Sequence, residues 1–130
     1  MDTESLAAIV VARVREVDYV SLVEMRNLLR PYMEVSGDTA ICLATDSNVI
    51  LWAGVSDGFT QVFDYMSDRG LVRLQGASLL TYLVDGGVSY LPLAKRLPKD
   101  GYKKPHWLPV VLRPGDATAS ETGHVQGRLL

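Results

Sequence analysis

Ser56-Asp57-Gly58-Phe59-Thr60-Gln61-Val62-Phe63-Asp64-Tyr65-Met66-Ser67-Asp68-Arg69-Gly70 runs straight into Leu71-Val72-Arg73-Leu74-Gln75, and this passage decides the fold. Phe59, Val62, Phe63 and Met66 recur at i, i+3, i+4 and i+7, the spacing of one helix face. Ser56 stands where an N-cap is wanted and Gly70 where a helix ends in a left-handed residue, so the pattern predicts a helix over 57–69. After Gly70 the pattern changes to β-runs at 71–75, 79–84 and 88–93, with Gly76-Ala77-Ser78 and Asp85-Gly86-Gly87 as turns. A helix feeding directly into an antiparallel hairpin is the expectation, with Tyr82 and Tyr90 packed across the hairpin.

Working outward, Leu6, Ile9, Val10, Val14 and Val17 share one face and predict a first helix over about 4–17, with Thr3 as N-cap. Ser21-Leu22-Val23-Glu24 is a capping box that opens a second helix, and Pro31 ends it near Arg30. Ala40–Ala44 and Val49–Trp52 read as two strands around a Thr45–Asn48 turn. Trp107–Leu112 returns as an edge strand, because Pro109 cannot donate to a central ladder. Residues 1–114 form one domain by length, and 115–130, small and polar without periodicity, are expected to be a disordered tail.

The order helix, capped helix, helix, wing resembles the winged helix-turn-helix superfamily. Tyr19–Leu29 looks like the second helix of such domains, and Phe59–Val72 is similar to the third helix running into the first wing strand. The resemblance covers about residues 4–96 and implies an α+β, winged-helix-like fold: three helices plus an antiparallel β-hairpin wing, with an extra β-hairpin inserted between helices two and three. It also implies DNA as the partner. Terminal helices of winged-helix regulators often dimerise, so a homodimer through helix one and a monomer with a covered core both stand as expectations.

The charge is uneven. Residues 1–90 carry six Arg against twelve Asp and Glu, a net −6, whereas 91–114 carry Lys95, Arg96, Lys99, Lys103, Lys104 and Arg113 against Asp100, a net +5. An acidic body with a basic arm suits docking on an anionic surface. The single cysteine excludes an internal disulfide and fits a reducing, cytoplasmic setting. Met1-Asp2-Thr3-Glu4 is acidic where a signal peptide is basic, and the apolar run Leu6–Ala12 is too short to span a bilayer.

Within the basic arm, Tyr102, His106 and Trp107 interleave with cations. Lys95, Arg96, Lys99, Lys103 and Lys104 suit phosphates, and Tyr102 and Trp107 suit stacking on sugar or base. Gln61 and Arg73 are expected as secondary contacts. The bland alternative is a solvated loop whose Trp plugs the core edge. On the third helix, Asp57, Asp64 and Asp68 repel a phosphate backbone, so the arm and not this helix must supply the attraction. The leading expectation is a DNA-binding regulatory protein without enzymatic activity. The alternative is a protein-interaction module using Asp57, Asp64 and Asp68 against a basic partner such as a transcription or nucleoprotein complex. A small enzyme or ligand binder beside the inserted hairpin ranks third. Cys42 reads as a core residue of its strand, and nothing orients it toward His106 for catalysis. Two histidines and one cysteine supply no zinc-ligand spacing, so no metal or cofactor is expected. Gly54 and Gly58 match no phosphate-loop spacing and read as a loop-to-helix junction.

Overall fold

The Ser56 hydroxyl accepts from the Phe59 amide at 3.1 Å and starts α3 (Asp57–Asp68). At the other end Gly70 turns left-handed (φ 66), its amide donates to Ser67 O at 3.1 Å, and the Leu71 amide reaches Met66 O at 2.9 Å. Those two bonds form a Schellman cap, and they aim the chain directly into β4 (Val72–Gly76). The computed structural model describes residues 1–116, which hold four helices and two three-stranded sheets in a mixed α+β arrangement. Of the expected tail, residues 117–130 and with them His124 lie outside the described residues. Gly115 belongs to the fold, its amide donating to Leu71 O at 3.1 Å.

Upstream, α1 (Thr3–Val17) is capped by the Asp2 carboxylate, which takes the Ser5 amide at 2.8 Å, and not by Thr3 as expected. The apolar stripe of α1 is largely spent on the chain's own core: Leu6, Val10 and Val14 are buried, Ile9 is half-buried and only Val17 is exposed. It therefore offers little apolar surface to a second copy. Ser21 caps α2 (Leu22–Leu29) through the Glu24 amide at 3.0 Å. The reciprocal half of the capping box is absent, because the Glu24 carboxylate takes Arg13 Nε of α1 at 2.8 Å instead.

One sheet has the order β1-β6-β4, where β1 is Val20–Ser21 and β6 is Val110–Pro114, and both pairings are antiparallel. The central strand is thus the one expected at an edge. Pro109 sits just before the ladder rather than in it, so its missing N–H costs nothing there. The other sheet has the order β2-β3-β5. Its antiparallel hairpin, β2 (Ser36–Leu43) and β3 (Asp46–Val55), is the insertion between α2 and α3, and several register shifts bend it. β5 (His106–Trp107) adds parallel to β3. Along β2, Ile41 and Leu43 turn inward and Cys42 outward. Cys42 is therefore exposed and not the core residue the apolar run suggested, since one position along a strand reverses the face.

The predicted hairpin over 79–93 does not form. Its first half is α4 (Leu79–Asp85), and Asp85-Gly86-Gly87 is a helix stop, not a hairpin turn. Gly86 is left-handed (φ 99), and the Gly86 and Gly87 amides both donate to Tyr82 O at 3.0 Å. Residues 88–93 carry only an isolated bridge from Leu93 to Trp107. The partner of β4 is β6, some 30 residues further on. The Tyr82–Tyr90 pair is likewise replaced: Tyr82 is fully buried, whereas Tyr90 is fully exposed. Tyr82 stands edge-on to Trp107, centroids 5.0 Å apart, and both contact Trp52, at 5.4 and 5.8 Å. This aromatic triad joins α4 to β3 and β5 in the core.

Candidate functional site: a clamped basic loop and an acidic cleft

Residues 95–105 form a loop whose ends are zipped together. The Trp107 amide donates to Pro92 O and the Ala94 amide to Trp107 O, both at 2.8 Å. The middle is clamped to the β2–β3 hairpin at one residue. Asp46 Oδ2 accepts from the Tyr102 amide at 2.9 Å, and Asn48 Nδ2 donates to the Tyr102 carbonyl at 2.7 Å. Two side chains read as turn formers in the sequence thus satisfy both main-chain groups of Tyr102, as a neighbouring strand would. Gly101 permits the approach: it is left-handed (φ 80), and a Cβ there would sit 3.0 Å from Asp46 Oδ2. The Tyr102 ring stacks on His106, centroids 3.8 Å apart, and its hydroxyl donates to Arg96 O. His106 Nδ1 donates in turn to Lys104 O at 2.8 Å.

This framework gathers the outgoing and returning halves of the loop. Arg96 is tied to Tyr102, and Lys104 is tied to the ring stacked on Tyr102, so Lys95, Arg96, Lys103 and Lys104 flank one small scaffold. Lys99 lies at the loop's far turn, where the Gly101 amide donates to Pro98 O at 3.1 Å. All five cations are exposed, and among the described residues none is in an ion pair. A hollow of about 340 Å³ beneath the loop is lined by Asp46 and Asp100 as well as Lys99. Two carboxylates against one ammonium disfavour an anion inside it, so the attractive surface is the loop's outer rim.

Several expected site residues fall elsewhere. Trp107 is 1% exposed and donates Nε1–H to Leu51 O at 3.1 Å, so it is a core residue that cannot stack on a base. Tyr102 is half-buried with one ring face taken by His106. Gln61 on α3 and Arg73 on β4 are exposed but stand on other elements than the loop. Arg113, counted with the basic segment, binds Asp18 through Nε at 3.1 Å and Nη2 at 2.9 Å and lies over the Tyr19 ring. Asp18 and Tyr19 both have positive φ (58 and 52), and this bidentate pair holds the strained link between α1 and β1. The Arg113 hydrogen bonds keep the Asp18 carboxyl below the usual carboxylate range.

On α3, Asp57, Gln61, Asp64 and Asp68 are exposed, whereas Ser67 is buried. Arg69 lies 3.8 Å over the Tyr65 ring. A cleft of about 350 Å³ opens between this helix and β2 of the inserted hairpin, where the sequence suggested a cleft beside the hairpin without the helix that forms its other wall. Every residue from Thr39 to Ala44 lines one wall, and Thr60, Phe63, Asp64 and Ser67 line the other. Asp57 closes one end by accepting the Thr39 hydroxyl at 2.6 Å. The i, i+3, i+4, i+7 spacing on the helix was visible in the sequence, but not what it faces. No cluster of metal-ligating side chains occurs among the described residues, and no described helix is long and apolar enough to cross a membrane. Comparison with known proteins finds no matching family model, no similar curated protein and no similar solved structure.

Proposed function

We propose that this chain is a winged-helix-like, non-enzymatic DNA-binding protein of the cytoplasm, acting in regulation, and that the loop 95–105 holds duplex phosphates. The sheet order β1-β6-β4, with α1, α2 and α3 preceding β4, supports the winged-helix reading. The long connection 77–109 then stands where a short wing turn would be. The observation that carries the DNA reading is the gathering of exposed cations, in no ion pair among the described residues, around the Tyr102–His106 stack held in place by Asp46 and Asn48. Preorganised cations lose less conformational freedom on meeting phosphate than cations on a free chain. The loop's charge of +4, five cations against Asp100, also contrasts with the acidic body.

Lys95, Arg96, Lys99, Lys103 and Lys104 contact phosphates in this reading, with Tyr102 as their scaffold. α3 stays out of the groove, since β2 packs along it and its carboxylates repel the backbone. The test is fluorescence anisotropy with a random-sequence duplex over a salt series. Each phosphate neutralised contributes about −0.9 to the slope of log K against log salt, so five contacts give about −4.5. Lys103→Glu with Lys104→Glu removes about 2 from that slope and weakens binding to all sequences alike. No binding at low salt sinks the reading.

A further inference from the structure

We infer that this chain pairs with a second copy of itself through the outer face of α4 and the residues that follow it. This inference is independent of the loop's affinity for DNA. Of eleven large hydrophobic side chains exposed among the described residues, six fall between Leu79 and Tyr90. Leu79, Leu80, Leu83 and Val84 share the helix face turned away from buried Tyr82, since positions three and four apart are neighbours. Leu80, Leu83 and Val84 are 67%, 52% and 84% exposed. Val88 and Tyr90 continue the patch past the Gly86–Gly87 stop. Together the six leave roughly 700 Å² in the open, about a tenth of the chain's 7231 Å², which is the share one partner gives to an ordinary stable interface. A monomer seldom exposes an apolar patch above about 600 Å².

The surface is complementary to itself in shape. Beyond the helix stop the chain drops onto α2 and β3: a Cβ on Gly87 would sit 3.1 Å from Val23 Cγ2 and 3.6 Å from Trp52 Cη2. There Val88, Ser89 and Tyr90 line a hollow of about 290 Å³ with Trp52, Ala53 and Gly54. The helix supplies projecting leucine and valine side chains, and the hollow a few residues on has room to receive them. In a two-fold pair each copy's helix face meets the other's hollow, so the contact is made twice.

Charge selects the partner. Residues 74–94 hold one charged residue, Asp85, whose carboxylate takes the Ser21 hydroxyl at 2.6 Å. Neither the helix face nor the hollow carries Lys or Arg. A charged peptide finds no counter-charge on it, and the face lacks the basic residues with which interfacial helices hold an anionic bilayer. Two copies meeting here bury no like charges, and the net −6 of residues 1–90 stays in water. Helix α1 cannot serve instead, because Leu6, Val10 and Val14 are already buried in the chain's own core.

Sedimentation velocity and amide resonances read the pairing over a dilution series. The chain is a dimer at about 1 mM and gives way to monomer on dilution, and the resonances that move belong to residues 79–90 and 52–54. Val84→Lys changes a side chain open to solvent, so the protomer keeps its fold. In the pair it buries an ammonium without a partner and raises the dissociation constant about a hundredfold or more. Ala53→Lys, in the hollow, does the same. Val17→Lys on α1 leaves the pairing intact, as does Lys103→Glu with Lys104→Glu, which separates this face from the loop. A monomer at about 1 mM, an undiminished dimer of both Val84→Lys and Ala53→Lys, or dilution shifts confined to α1 overturns the proposal. So does binding of the monomer to phosphatidylcholine vesicles that Val84→Lys abolishes, which would assign the patch to lipid.

Discussion

Tyr82→Phe is the sharpest test of the architecture, because removing one oxygen atom separates helix α4 from the hairpin suggested by the sequence. In the fold described, the Tyr82 hydroxyl accepts from the Leu22 amide at 3.1 Å and donates to Val110 O at 2.7 Å, in a fully buried position. Leu22 opens α2, so no carbonyl within that helix can take its N–H. Each buried polar group left without a partner costs about 1–3 kcal/mol. Val110 O, as a carbonyl rather than an N–H, sits at the low end of that range. The sum is about 2–4 kcal/mol, which for a chain of this size lowers Tm by roughly 5–15 °C.

Tyr90→Phe, at a side chain 102% exposed, changes stability by less than about 0.5 kcal/mol. A hairpin with the two tyrosines facing each other predicts similar, small effects for both. Burial raises the Tyr82 hydroxyl above its ordinary value of 10.0, so the folded state keeps its proton when the unfolded chain has lost it. Stability is then complete below pH 10 and falls as pH rises beyond it, by up to about 1.4 kcal/mol per pH unit. The advantage of the wild-type chain over Tyr82→Phe therefore shrinks above pH 10. Urea denaturation at neutral and alkaline pH reads both effects. Equal losses for the two phenylalanine variants would refute the placement of Tyr82.

Gly115→Ala probes where the ordered fold ends. A Cβ at Gly115 would lie 2.1 Å from Gly70 O, whereas at Gly76 it would meet nothing within 4 Å, so the first costs about 1–3 kcal/mol and Gly76→Ala about 0.5 or less. Asp18→Asn probes the strained link. The Asp18 carboxyl is held below its ordinary value of 3.8 by Arg113, so its stabilisation is present above that pH and lost as pH falls through the lower folded value. The variant is less stable at neutral pH and shows a flatter decline below about pH 4. An unchanged acid limb in a Tm-against-pH series would remove Asp18 from that account.

The sequence revealed what local stereochemistry governs. The Ser56 cap, the Ser21 half of the capping box, the Gly70 stop and the α3 stripe depend on residues within a turn of one another, and each forms as read. The same local grammar was ambiguous at Asp85-Gly86-Gly87. A left-handed glycine after an apolar run ends a helix as readily as it turns a hairpin, and seven residues hold too few periods to tell 3.6 from 2. What decides for the helix is Tyr82, whose contacts lie 60 and 28 residues away. Ala40-Ile41-Cys42-Leu43-Ala44 suffered a related ambiguity, since a uniformly apolar run does not say which face is wet.

For the candidate surfaces, composition identified the cations of residues 95–104 but not their arrangement. Charge is a property of the residue type, and an exposed Lys is expected wherever the chain takes it. That Asp46 and Asn48 would capture both main-chain groups of Tyr102, that Trp107 would point inward, and that β2 would lie beside α3 are pairings across 18 to 56 residues. Such pairings depend on which surfaces the core brings together. Neighbouring residues therefore determined the first three helices, the Ser21 and Ser56 caps and the segregation of charge, while long-range packing decided that residues 79–85 became a helix, which strand became central, which tyrosine was buried and where the cleft beside α3 opened.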